Sequence, residues 1–171
     1  MSPEPVPPKA PDLRKLLEPL VSKGVDFVVV GGMAGIAYGS TYPSFDLDVA
    51  YSCGRANIGR LAAALVEIGV RLRAGADDLP FQLDERMFES GANFNFVTRF
   101  GDLDVLGDIP GITSYEKLRS SAVEMDIAGI HVRVASLDDL ISMKRAANRT
   151  KDKLLVLEYV ELADERRRAG Q

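Results

Sequence analysis

The fold of this chain is decided by residues 28–49, VVVGGMAGIAYGSTYPSFDLDV. The stretch Val25–Val30, which is apolar except at Asp26, predicts a short buried strand. The small residues that follow predict a short helix over Gly31–Tyr38, and a second apolar run predicts a strand over Leu47–Tyr51. The alternation of strand, helix and strand is typical of an α/β or α+β chain.

Two aspartates stand one residue apart at the start of the second strand. Residues i and i+2 of a strand point to the same face, so Asp46 and Asp48 project together. Their carboxylates repel each other unless a cation lies between them, and hard oxygen ligands at this spacing suit Mg²⁺ together with nucleotide phosphates. Gly31 and Gly32 carry no side chain, which leaves space for backbone N–H groups to approach a triphosphate.

A third carboxylate is expected on a later strand. Asp102 and Asp104 share one face of the strand predicted over residues 102–106, and alternation does not choose between them. Asp104 is favoured because it lies mid-strand between Leu103 and Val105, which are expected to pack in the core. Three aspartates brought together in this way can hold two Mg²⁺ ions.

The remaining periodicity predicts a mixed central sheet flanked by helices, with further helices at the C-terminus. The expected helices cover about residues 12–22, 55–68, 113–119 and 136–147, with a last helix capped by Thr150, and the expected strands cover about residues 80–84, 93–98, 102–106, 122–127 and 130–134. The proline-rich residues 1–11 are expected to form a disordered arm, and residues 12–171 a single domain.

The composition and charge of the chain argue against several classes of protein. The chain has 171 residues, of which 46% are hydrophobic. It contains no apolar run of about 18 residues, so no membrane span is predicted. The N-terminus lacks the pattern of a secretory signal, and Cys53 is the single cysteine, which excludes an internal disulfide and favours a cytoplasmic location. The net charge of −4 argues against a large nucleic-acid footprint.

Taken together, the two glycines, the short helix, the Asp46-x-Asp48 pair and a third aspartate resemble the nucleotidyltransferase superfamily of the DNA polymerase β type. Residues 136–152, SLDDLISMKRAANRTKD, are similar to the minimal prokaryotic branch, which includes AbiEii-type toxins and DUF6036-like proteins. The resemblance covers about residues 12–160.

The resemblance implies an enzyme that uses Mg²⁺ (or Mn²⁺) to transfer a nucleoside monophosphate from a nucleoside triphosphate to a hydroxyl. By position it implies metal ligands and catalytic carboxylates at Asp46, Asp48 and Asp104, and nucleotide-binding residues at Gly31, Gly32, Ser44 and Lys144. The implied acceptors are a tRNA, a protein hydroxyl or a small molecule. A toxin of a toxin–antitoxin pair, with an antitoxin protein as its partner, is one setting that the resemblance suggests.

The chain departs from the family pattern at Tyr42, which stands where relatives carry an arginine that makes a charge-assisted phosphate contact. Two alternatives therefore stay open. The first is a weakly active or inactive module that binds a nucleotide or a partner. The second is an antibiotic nucleotidyltransferase, for which only Asp77-Asp78 and Asp84-Glu85 offer an acidic surface to a cationic drug.

Different roles are expected for the basic residues near the C-terminus. On one continuous helix, Lys144 and Arg149 would lie about 140° apart, and only a break near Asn148 would let both reach one phosphate. The run Arg166–Arg168 is expected to be a frayed, exposed tail.

Overall fold

The computed structural model describes residue 4, residues 7–73 and residues 82–171. In chain order, the elements are α1 (Leu13–Ser22), β1 (Phe27–Val30), α2 (Gly31–Ala37), β2 (Asp46–Tyr51), α3 (Arg55–Ile68), β3 (Arg71–Leu72), α4 (Arg86–Glu89), β4 (Phe94–Thr98), β5 (Gly101–Leu106), α5 (Tyr115–Ser121), β6 (Val123–Ile127), β7 (Ile130–Val134), α6 (Leu137–Ala147) and α7 (Thr150–Arg168). None of the described helices combines the length and the apolar character of a membrane span.

The described strands form one mixed sheet of order β3-β4-β5-β2-β1-β7-β6. Strand β2 pairs antiparallel with β1 and parallel with β5, and β7 pairs parallel with β1 on the other side. The expected mixed sheet flanked by helices, with helices at the C-terminus, is therefore confirmed. The bounds predicted for α3 and β7 match the structure, whereas the domain boundary at residue 12 stays a prediction.

The core lies on both faces of the central strands. All four residues of β1 are buried, which explains why this strand reads as a continuous apolar run rather than an alternating one. On β2 and β5 the burial alternates, so that Leu47, Leu103 and Val105 are fully buried while the aspartates between them are partly exposed. This alternation directs the aspartates of both strands to the same face.

The prediction of a strand over residues 80–84 is wrong for the residues of this range that the structure describes. Residues 82–84 lie outside every strand, and residues 80 and 81 lie outside the described residues. The Asp84 carboxylate accepts a hydrogen bond of 2.9 Å from the backbone N–H of Arg86, which turns the chain into α4. A local side chain–backbone bond of this kind competes with strand pairing.

Helix capping explains where two of the later helices begin. Ser114 and Ser136 cap α5 and α6 by accepting hydrogen bonds from the backbone N–H groups of Lys117 and Asp139. Thr150 is not a cap: it is the first residue of α7, and Arg149 holds the N-cap position.

The fraying expected for Arg166–Arg168 is also wrong, although Arg167 and Arg168 are exposed as expected. Helix α7 continues through Arg168, and the guanidinium carbon of Arg166 lies 5.0 Å from the centre of the Tyr38 ring. This cation–π contact ties the C-terminal turn to the loop after α2.

Candidate functional site: an acidic cluster between two cavities

The parallel register of β2 and β5 assembles the acidic cluster. Asp48 is paired with Asp104 and Asp46 with Asp102. One carboxylate oxygen from each of Asp46, Asp48 and Asp104 lies within 4.8 Å of the others. Asp102 is outside this cluster and its side chain is 40% exposed, against 14% for Asp104. The structure thus brings together the three aspartates that the sequence analysis favoured.

Burial gives Asp48 unusual electrostatics. Its Oδ1 atom is buried and accepts no hydrogen bond from the described residues. Burial, and then the negative charge of Asp104, raise the pKa of Asp48 to about 8. The same two causes raise the pKa of Asp46. Burial and mutual repulsion therefore disfavour the state in which all three carboxylates are ionised. The cluster is suited to binding a proton or a cation.

Arg73 is a functional-site residue that the sequence analysis missed. Its Nη2 atom donates to Asp104 Oδ1 at 2.8 Å and lies 3.6 Å from Asp102 Oδ2. The contact arises because the Arg73 backbone N–H donates to the carbonyl of Asn95, which is paired with Asp104 in the sheet. The two-residue strand β3 that places Arg73 has too short a pattern for the sequence to reveal it.

The two glycines make room for side chains of the protein itself. Gly31 has a φ of +70°, and a Cβ there would lie 2.1 Å from Asp48 Oδ2. A Cβ on Gly32 would lie 2.6 Å from Ser44 Oγ. At both positions a side chain of the protein, Asp48 or Ser44, occupies the place that a Cβ would take, so glycine is required for the close packing of α2 on β2 and the residues before it. The expected contact of both glycines with a triphosphate stays a prediction.

A buried carboxylate organises the C-terminal cations. Asp152 is fully buried and accepts hydrogen bonds from the Arg149 Nε atom at 2.7 Å and from the Arg149 backbone N–H at 3.1 Å. Lys144 Nζ lies 3.4 Å from the other oxygen. Burial alone would raise the pKa of Asp152, but the hydrogen bonds from Arg149 and the charge of Lys144 lower it below its usual value.

The chain break needed to bring Lys144 and Arg149 together is present. Asn148 adopts the left-handed conformation, with a φ of 52°, and separates α6 from α7. Both cations converge on Asp152 as a result. Asp152 ends the stretch of residues 136–152 on which the resemblance rests, but no role was assigned to it, because an aspartate in a run of charges gives no signal of burial.

Two cavities flank the acidic cluster. The first, called the acidic cavity, has a volume of about 340 Å³. It is lined by Gly32, Ser40, Tyr42, Pro43, Ser44, Asp46, Asp48, Asp104, Lys144, Arg149, Lys151, Leu154, Leu155 and Tyr159. The second, called the apolar cavity, has a volume of about 220 Å³ and includes Gly31 in its wall. The acidic cavity therefore collects six of the seven predicted site residues, and the apolar cavity takes the seventh.

Three solved structures share this architecture. The antibiotic-resistance factor ANT(2'')-Ia matches with a TM-score of 0.55 and 20% identity, over 92% of this chain and 91% of its own. The lincosamide antibiotic adenylyltransferase LnuA, with lincomycin bound, matches with a TM-score of 0.59 and 11% identity, over 88% and 95%. A candidate nucleotidyltransferase from Thermotoga maritima matches with a TM-score of 0.54 and 18% identity, over 91% and 88%.

No protein-family model and no curated protein matches the sequence. The narrower similarity to AbiEii-type toxins and DUF6036-like proteins stays a prediction. Each of the three structural matches covers between 88% and 92% of this chain. This chain has the nucleotidyltransferase fold.

Proposed function

We propose that this protein is a divalent-cation-dependent nucleotidyltransferase that moves a nucleoside monophosphate from a nucleoside triphosphate to a hydroxyl acceptor. One observation carries the proposal. The clustered carboxylates of Asp46, Asp48 and Asp104 face a cavity that Lys144 and Arg149 also line. A site that combines clustered carboxylates with cations suits a metal-bound polyphosphate, because the metal engages the acids and the phosphates engage the bases.

The acidic cluster fits Mg²⁺ or Mn²⁺ as its cofactor. Asp48 Oδ1 is a buried acceptor that needs a partner, and a cation would supply one while relieving the repulsion from Asp104. Asp46, Asp48 and Asp104 would be the ligands. A bound cation would neutralise charge on the triphosphate and make the acceptor hydroxyl easier to deprotonate.

The protein's own residues then have defined roles. Lys144, Arg149 and Lys151 attract the triphosphate, and Gly32 and Ser44 border it. Asp104 accepts the proton of the acceptor hydroxyl. The acceptor oxygen forms a bond to the α-phosphorus as the bond to pyrophosphate breaks, and pyrophosphate leaves with the electron pair of that bond.

The alternative of an inactive binding module has less support. Tyr42 lines the acidic cavity and is 41% exposed, so it adds no positive charge at the position where relatives carry arginine. Arg149 and Lys151 line the same cavity and supply positive charge there. The loss of one arginine is therefore offset by residues from the C-terminal helices.

No observation favours an antibiotic as the acceptor. One structural match is an antibiotic-resistance factor and another is a lincosamide antibiotic adenylyltransferase, but those similarities are of fold. Of the acidic surface expected for a cationic drug, Asp84 is paired with Arg86 at 2.9 Å, and Asp77-Asp78 lies outside the described residues. A tRNA acceptor, a toxin role, an antitoxin partner and a cytoplasmic location stay predictions.

The decisive experiment follows label from each of the four α-³²P nucleoside triphosphates, with Mg²⁺ and a cell extract as the source of acceptors. We expect label on an acceptor with wild-type protein. Asp104→Asn should lower the transfer rate by about 100-fold or more, because a general base contributes to the chemical step, and should change nucleotide affinity little.

Asp102→Asn is the matched control, since Asp102 lies on the same strand face outside the cluster. Its transfer rate should stay within about threefold of wild type. Equal loss in both variants, or no transfer by the wild-type protein with any of the four nucleotides, would contradict the assignment.

A further inference from the structure

The apolar cavity is continuous in its lining with the acidic cavity. Asp48, Lys144 and Arg149 line both of them. The apolar cavity lies where the ends of β1 and β5 meet α6, and the residues that line it alone are aliphatic residues, a methionine, a proline and a glycine. Under the proposed function, one molecule that occupies both cavities carries its phosphates in the acidic cavity and a weakly polar group in the apolar cavity.

The walls and the rim of the apolar cavity differ in their access to water. Val30 and Leu140 are buried in its wall, and Met143, which also lines it, is partly exposed. Pro110 and Ala147 are exposed at the rim. A flat ring placed here would pack its faces on apolar side chains, and its polar edges would keep their hydrogen bonds to water at the rim.

We propose that the apolar cavity binds the nucleobase of the nucleoside triphosphate and discriminates only weakly among the four bases. This inference rests on the proposed function. Its physical basis is that a pocket rejects a wrong ligand strongly when it holds buried side-chain donors and acceptors that the wrong ligand leaves unpaired. The side chains that line this cavity alone include no such groups.

Calorimetric titration of the full-length protein with MgATP, MgGTP, MgCTP and MgUTP tests the selectivity. The four dissociation constants should agree within about tenfold, because apolar contact alone separates similar ligands weakly. A wider spread would overturn the proposal. Ribose 5-triphosphate, which lacks a base, should bind at least about tenfold more weakly than each nucleotide, given the apolar surface that the base buries.

A variant that fills the cavity tests its location. Ala147→Leu, at the rim, should weaken binding of all four nucleotides by about fivefold or more and leave the affinity for ribose 5-triphosphate unchanged. Ala63→Leu is the matched control, because Ala63 is an exposed helical alanine on α3 that lines neither cavity. Met143→Ala removes part of the wall and should also weaken the binding of nucleotides but not that of ribose 5-triphosphate. This variant replaces Ala147→Leu in the test if Ala147→Leu impairs folding.

The outcomes separate this inference from the proposed function. If ribose 5-triphosphate binds only with Mg²⁺ and the base adds no affinity, the nucleobase site is wrong and the nucleotidyltransferase proposal stands. If Ala147→Leu and Met143→Ala both leave nucleotide affinity unchanged, the base binds elsewhere and the inference fails. If neither ribose 5-triphosphate nor any nucleotide binds, the proposed function fails and this inference fails with it.

Discussion

At the scale of single residues, Asp48 shows how burial and charge oppose each other at this site. Its carboxylate lies beside Gly31 on one side and Asp104 on the other, and one of its oxygens accepts no bond from the described residues. An ionised carboxylate in such a place costs stability, so the apo protein keeps a proton on the cluster near neutral pH. A ligand site of this kind trades stability for binding.

The raised pKa of Asp48 gives the apo protein a distinctive pH dependence. Between the unfolded-state pKa of about 3.9 and the folded-state pKa of about 8, the native state holds a proton that the unfolded state has lost. Stability should therefore fall as the pH rises through this range. In Asp48→Asn that fall should be smaller, by on the order of 1 kcal/mol for each pH unit.

Urea unfolding between pH 5 and pH 8, with a chelator present, measures this difference. Asp108→Asn, at an exposed aspartate, is the control and should follow wild type. Parallel curves for wild type and Asp48→Asn would show that Asp48 is ionised in the apo protein.

Arg73 occupies an Asp104 oxygen that a cation would also use. Arg73→Ala should raise the affinity for Mn²⁺, because the carboxylate no longer has to give up a guanidinium. A partly exposed pair contributes about 0.2–1 kcal/mol, so the gain should be about fivefold at most. Mn²⁺ titration followed by electron paramagnetic resonance reports binding without requiring turnover.

The control for Arg73 lies two residues earlier in the chain, in β3. Arg71→Ala removes an exposed arginine of β3, and for it no ion pair appears among the described residues, so Mn²⁺ affinity should not change. A lower affinity in Arg73→Ala would mean that Arg73 holds Asp104 in place for the cation instead of competing with it.

Individual site residues were predictable only where local spacing constrains them. Asp46 and Asp48 could be assigned to one face from their i and i+2 spacing, and Asp104 could be favoured from its mid-strand position. The contact of Arg73 with Asp104 and the burial of Asp152 could not be predicted. The environment of each residue is created by tertiary packing, which the spacing of residues in the sequence does not reveal.

At the scale of elements, the junction between α2 and β2 is held by two close approaches. Gly32→Ala should destabilise the protein, because the added Cβ would lie 2.6 Å from Ser44 Oγ and 2.7 Å from Ser44 Cβ. Ser44→Gly removes both atoms, so the double variant Gly32→Ala/Ser44→Gly should recover stability. Thermal unfolding of the four proteins should show a coupling of about 0.5–3 kcal/mol.

Additive effects in this cycle would mean that the added methyl meets something other than Ser44. Nucleotide titration of the same proteins separates the two roles of the turn. If Gly32→Ala lowers affinity while stability is unchanged, the glycine serves the ligand, as the sequence analysis expected.

The junction between α6 and α7 depends on Asp152. Asp152→Asn should destabilise the protein by about 1–3 kcal/mol, because Lys144 and the Arg149 backbone lose a charged acceptor in a buried setting. It should also weaken triphosphate binding, since neither cation is held at the cavity. Asp164→Asn is the matched control on the same helix, where the pair with Arg167 is exposed, and should cost less than about 1 kcal/mol.

Urea unfolding and nucleotide titration of both variants check this prediction. Unchanged nucleotide affinity in Asp152→Asn would show that Asp152 has a structural role alone. Rescue of affinity by Asp152→Glu would show that the negative charge matters more than its exact reach.

Elements could be predicted where hydrophobic periodicity was long and uninterrupted. Helix α3 was predicted with its observed bounds because fourteen residues carry a clear apolar face that a glycine ends. The two-residue β3 and the four-residue α4 were missed because they are shorter than any period the sequence can display. The break between α6 and α7 was predicted, because the helical pattern ends at residue 147 and resumes at Thr150, whereas the left-handed conformation of Asn148 was not.

At the scale of the whole molecule, the sheet order joins distant segments into one site. Strand β5 pairs beside β2 although α3 and further elements separate them in the chain, and α6 and α7 close the cavity from the other side. A ligand that spans Asp48, Asp104 and Lys144 therefore links three segments that must separate when the protein unfolds. Binding should thus raise global stability as well as local order.

This linkage gives a final prediction. A ligand that binds only the native state at 100 times its dissociation constant adds about 2.7 kcal/mol of stability. For a protein of this size that corresponds to a rise in Tm of about 5–10 °C. We expect this rise with a nucleoside triphosphate and Mg²⁺ together, and little of it with either alone, because the cation relies on phosphate oxygens to complete its ligands. Asp48→Asn should lose the rise while folding normally. Hydrogen exchange should place the added protection on β2, β5 and the start of α7. A rise that persists without Mg²⁺, or one that Asp48→Asn retains, would place the nucleotide away from the acidic cluster.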